Sequence, residues 1–153
     1  MLTFIRFLGL VILLNLLRYL VCVPIEMRLV LPRLIRQMEA HSSYFNTNFT
    51  SVDWITSYFY NFMMWLTILW LFHLLRPVLK GHEVVKSLKV FGIGFVFFAS
   101  LSAIYMNHYS HPKLFYLFNI LDALIVFPIV AVANGLLYPL FMRKRASSVS
   151  KAA

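Results

Sequence analysis

Two ionisable residues stand inside otherwise apolar stretches: Arg18, in the run from Leu2 to Val23, and Asp122, in the run from Leu114 to Met142. A lone charge at the centre of a hydrocarbon layer costs at least ~2.5 kcal/mol, so such residues turn inward and pair. Arg18 lies six residues before Pro24, and Asp122 lies nine residues after Lys113. At about 1.5 Å of helix rise per residue, they sit ~9 Å and ~13 Å below the same boundary. The spacing predicts an ion pair between the first and last apolar helices. Such a pair either specifies the fold or lines a binding site.

Polar neighbours extend the pattern. Asn15 precedes Arg18 by three residues and Asn119 precedes Asp122 by three, so each pair shares a helix face. Tyr58 and Asn61 repeat at helical spacing with Trp54 and Trp65, while Ser100 and Tyr105 reach comparable depth in the third apolar run. Asn15, Arg18, Tyr58, Asn61, Ser100, Tyr105, Asn119 and Asp122 are therefore expected to form one polar layer. Buried polar groups need partners, so the layer reads as interhelical hydrogen bonding or as the lining of a cavity. An anionic ligand would pair with Arg18 and leave Asp122 as a proton acceptor.

Histidine offers a second chemistry. His41, His108 and His111, with Asp53 as a carboxylate, carry ligand types suited to zinc or copper, although no ligand-spacing motif joins them. A metal ion is the only cofactor these residues suggest. A haem held between His73 and His108 is excluded, because the two fall at opposite ends of the expected helices. There is no Walker loop, dinucleotide glycine fingerprint, HExxH or CxxC. Cys22 is the sole cysteine, so no disulfide closes within the chain. Asn48-Phe49-Thr50 matches a glycosylation sequon, and Lys144-Arg145-Ala146-Ser147 resembles a basophilic kinase site. Both patterns are common by chance.

The elements that must position these residues follow from composition. The chain has 153 residues, 61% hydrophobic and only 12% charged. A chain of this size has too few polar residues to cover a water-facing surface. Periodicity and length predict helices at about 2–23, 54–76, 87–106 and 114–142, each able to cross a ~30 Å hydrocarbon core. The fourth is too long to stand upright, so tilt or a kink at Pro128 is expected. Asn15 and Arg18 interrupt the first run and no small-residue cleavage site follows, so it reads as a retained helix rather than a signal peptide.

Residues 25–39 divide on a helical wheel, with Met27, Val30, Leu31, Leu34, Ile35 and Met38 opposite Glu26, Arg28, Arg33, Arg36, Gln37 and Glu39. That predicts an interfacial amphipathic helix, entered where Pro24 turns the chain and divided or kinked at Pro32. Residues 40–53 form a polar outer loop, 1–145 make one transmembrane domain, and 146–153 form a disordered tail.

Net charge is +9. Nine basic residues, from Arg6 to Lys151, fall on one flank with Glu83 as the sole acid, while four basic residues and three acids fall on the other. Arg18 and Asp122 cancel inside. Basic flanks stay cytoplasmic, so both termini are expected there, in a bacterial cytoplasmic membrane, and the charge is not a nucleic-acid footprint. Small residues at Gly92, Ala99 and Ala103, and at Ala131 and Gly135, predict close helix packing within the bundle or against a partner.

The expected fold class is an all-α membrane protein, a four-helix transmembrane bundle with an outer interfacial amphipathic helix. The leading function class is a non-catalytic accessory or interaction component, with the lipid bilayer and a membrane-protein partner or second copy as contacts. The second is a protein that binds or transports a small molecule or lipid at Arg18 and Asp122. A membrane enzyme or metal-binding protein using the outer histidines ranks third.

Overall fold

The computed structural model describes residues 2–45, 48–108 and 112–142. His111, the basic cluster at Arg143, Lys144, Arg145 and Lys151, and the expected tail at 146–153 lie outside them. Among the described residues every regular element is helical. α1 (Leu2–Leu17) passes through one π-helical turn (Arg18–Cys22) into α2 (Val23–Leu29), and α3 (Leu31–Ala40) follows a break at Val30. α4 (Ser51–Leu75), α5 (Glu83–His108) and α6 (Lys113–Met142) complete the chain.

Four rods are long and apolar enough to cross a membrane: Thr3–Leu29, Ser51–Leu75, Glu83–His108 and Lys113–Met142. They run alternately up and down, and contacts of α1 with α4, α4 with α5, α5 with α6 and α6 with α1 close a ring of four. Leu10, Leu14, Leu69, Phe72, Phe91, Val130 and Tyr138 fill the ring. Trp65 joins it to the upper layer, its ring 5.3 Å from that of Phe127 and 6.0 Å from that of Phe91. The outward faces stay apolar, with Leu20, Trp70, Phe97 and Leu136 all exposed.

One expectation is corrected here. Pro24 does not turn the chain: the first rod continues to Leu29, and Pro24 sits at the start of α2 behind the π turn. Proline lacks an N–H and its ring crowds the carbonyl four residues back, so one wider turn relieves the clash without ending the helix. The amphipathic segment therefore begins at Leu31, with Pro32 in its first turn, where a missing N–H costs nothing. α3 packs against α6 and exposes Arg33, Arg36 and Glu39. α6 is helical throughout, with Pro128 and Pro139 both inside it.

Local signals set the remaining ends. Thr50 caps α4 with a reciprocal box: its hydroxyl accepts from Asp53 N, and its own N–H donates to Asp53 Oδ2 at 2.8 Å. Between α4 and α5 the chain turns at Gly81, whose φ of 113° favours glycine. Arg76 Nε donates to Glu83 Oε2 at 2.7 Å across that turn, and this bond holds the guanidinium above its usual pKa. Beyond it, α5 lies very close to α6. A Cβ on Gly135 would stand 2.4 Å from Val84 Cα, so only glycine fits. Asn134 also donates to Ser87 Oγ at 2.9 Å inside this contact.

Candidate functional site

The π turn is where the first rod gathers its polar groups. Arg18 and Glu26 are eight residues apart, which in a regular α-helix leaves them about 80° out of phase. One extra residue in the π turn removes roughly 100° from that phase, bringing the two onto one face. Helical side chains also lean toward the N-terminus, so Glu26 reaches back to Arg18. Arg18 Nη2 lies 3.5 Å from Glu26 Oε2. Glu26 is 1% exposed.

This replaces the expected Arg18–Asp122 ion pair. Glu26, which the wheel placed on a solvent-facing side, is instead the buried partner of Arg18. The Arg18 guanidinium also lies 4.8 Å from the centre of the Tyr19 ring, a cation–π contact. Asp122 stays within electrostatic reach of Arg18, but its Oδ1 is buried without a hydrogen-bond partner in the chain. Glu26 Oε1 and both amide atoms of Asn15 are in the same condition.

Arg18 and Asp122 share an open pocket of about 440 Å³ between the first rod, α4, α5 and α6. Asn61 and Asn119 line it as well. Asn61 Nδ2 donates to the Tyr19 hydroxyl at 3.1 Å, tying α4 to the π turn. Of the expected layer, then, Arg18, Asn61, Asn119 and Asp122 meet in one place. Asn15 is fully buried beneath them in the first rod. Tyr58 lies next door, its ring stacked 5.8 Å from that of Tyr19 in an adjoining groove. Ser100 is exposed outside the pocket, and Tyr105 stacks 6.4 Å from Tyr116. α5 contributes Phe98 to the lining instead.

The histidine set does not assemble among the described residues, where no three His, Cys, Asp or Glu side chains come together at metal-binding range. Asp53 holds the Thr50 cap, and His41 Nδ1 bonds the Gln37 carbonyl at 3.0 Å. His108 ends α5.

Sequence patterning missed three polar contacts. Glu26 was hidden because a wheel assumes an unbroken α phase. The Asn134–Ser87 bond and the bond between His73 Nδ1 and the Tyr138 hydroxyl join different helices, and their residues share no recurring spacing. Pro24, directly after the apolar run from Leu2 to Val23, was the one available signal for the π turn. Comparison with protein-family models, curated proteins and solved structures gave no match.

Proposed function

We propose that this is a multi-pass membrane protein whose pocket at Arg18 and Asp122 binds a small molecule or lipid with a polar head and an apolar body. Buried polar atoms are ordinarily paired, and an isolated carboxylate oxygen is among the costliest exceptions. The observation that carries the reading is Asp122, which lines a pocket large enough for a ligand while its buried Oδ1 has no hydrogen-bond partner in the chain. Pockets of roughly 300–1,000 Å³ with a few convergent polar groups are the usual form of such sites.

The exposed apolar flanks of all four rods support insertion in a bilayer. In that frame α3 lies along the surface with its arginines toward water, and the Arg76–Glu83 turn and N-terminus face the basic, cytoplasmic side. Reporter fusions at the C-terminus test this: a fluorescent, phosphatase-inactive product is expected.

Native mass spectrometry from mild detergent tests the binding reading. The wild-type protein should retain a small molecule or lipid, and Ser57→Trp, which fills the exposed mouth of the pocket, should release it. Equal retention by both proteins would refute the assignment. An accessory role is the second reading, favoured by the shallow groove between α5 and α6, where nothing lies within 4 Å of a Cβ placed on Gly92. A stoichiometric protein partner in the same spectra would support it.

A further inference from the structure

Resting on the pocket reading above, we infer that the pocket takes an organic ammonium ion, held by the Asp122 carboxylate and by aromatic rings. Charge is the first argument. The cluster at the π turn brings together one cation, Arg18, and two acids, Glu26 and Asp122. Arg18 is engaged by Glu26 at 3.5 Å and by the Tyr19 ring. An anion entering the pocket would have to displace Glu26, whose side chain is almost fully buried. Asp122 is the acid left over, and a positive charge beside it balances the cluster.

The walls decide what kind of cation. Besides Arg18, Ser57, Asn61, Asn119 and Asp122, the pocket is lined by the aromatic residues Tyr19, Trp54, Tyr60, Trp65, Phe98 and Phe127. Trp54 and Tyr60 are exposed at its mouth, whereas Trp65 and Phe127 are buried at its floor. A bare metal ion of the alkali or alkaline-earth type needs about six oxygen ligands, which this lining does not offer. A proton would balance the charge but needs no pocket. Ring faces attract cations through their quadrupole, most strongly when the site is desolvated, and aromatic walls are the recurring way to hold quaternary ammonium groups. One carboxylate among several aromatic rings fits an alkylammonium head with an apolar body. The head belongs either to a soluble amine or to a lipid.

Trp54 and Trp65 report directly on occupancy. In a Trp70→Phe background they are the remaining tryptophans. Protein in neutral maltoside micelles would be titrated with decyltrimethylammonium, decyl sulfonate, choline and sodium chloride, following tryptophan emission. The ammonium amphiphile should give a saturable change that the sulfonate and sodium chloride do not. Saturation by choline as well assigns a soluble amine; saturation by the decyl compound alone assigns a lipid-like ligand.

Asp122→Asn should weaken ammonium affinity on the order of tenfold or more, since it removes the counter-charge. Glu26 is not itself in the lining but holds Arg18, which is, so Glu26→Gln should also weaken binding, because the freed Arg18 turns to Asp122. Helix content by circular dichroism confirms that both variants fold. Sulfonate binding as tight as ammonium, or Asp122→Asn affinity within twofold of wild type, would overturn the ammonium assignment while leaving a pocket. The absence of any saturable titration would remove the pocket reading itself, and the assignment with it.

Discussion

The two ends of the bundle spend their polar residues differently. At the α4–α5 turn, Arg76 bonds Glu83 at 2.7 Å, Lys86 reaches the same carboxylate at 3.3 Å and Lys89 Nζ donates to the Lys80 carbonyl at 3.0 Å. Tyr138 closes that network from below, bonded to His73 and lying under the Arg76 guanidinium. Among the described residues there, Asn134 Oδ1 is the buried side-chain polar atom without a partner. At the π-turn end, Asn15, Glu26 and Asp122 keep four atoms unpartnered beside an open pocket. A satisfied network rigidifies, while an unpaired buried polar group is costly. The first end builds the fold, and the second is the end on which the proposed ligand site rests.

Substitutions that separate stability from binding would break or sharpen this contrast. The largest effect is expected at the satisfied end. Gly135→Ala drives a methyl into Val84 backbone and should cost about 3 kcal/mol, read by detergent-based unfolding. A cost under about 1 kcal/mol would mean that the α5–α6 approach is not tight.

Next comes Glu26→Gln, expected to cost about 1–2 kcal/mol, below the usual figure for a broken buried pair because Asp122 can take over Arg18. The double variant with Asp122→Asn should then lose more than the two singles added together. Additive losses would show that Arg18 does not exchange partners. Tyr138→Phe should cost about 1 kcal/mol, the net value of a hydrogen bond, and leave ligand retention unchanged. Changed retention in that variant would tie the two ends together.

The smallest effect on stability is expected from Asp122→Asn, within about 0.5 kcal/mol of wild type, since it removes one of two acids facing a single arginine. Its effect on binding should be the greatest of the four. Matched losses in both would place Asp122 in the fold rather than in the site.

Much of the frame was legible in the residues. Four apolar runs became four long helices, Pro32 entered α3 at its first turn, and Arg18, Asn61, Asn119 and Asp122 converged as depth along the helices suggested. Separation along one helix follows from counting at a fixed rise. Facing does not, because it depends on the phase of every turn before it. A single π turn therefore moved Glu26 from an expected outer face to the inside. With it went the charge balance. The interior is no longer neutral on paper: one cation faces two acids.

By itself the sequence determined which segments are helical and apolar, how the polar residues are spaced along each, and where the basic residues cluster. These are properties of local composition and of a constant helix rise. Only the tertiary structure decided which charge meets which. That choice rests on rotation about the helix axis and on the approach of separate helices, and neither is written in the spacing of one segment. The partner of Arg18 turned on one extra residue in one turn, and so the chemistry of the pocket turned on it too.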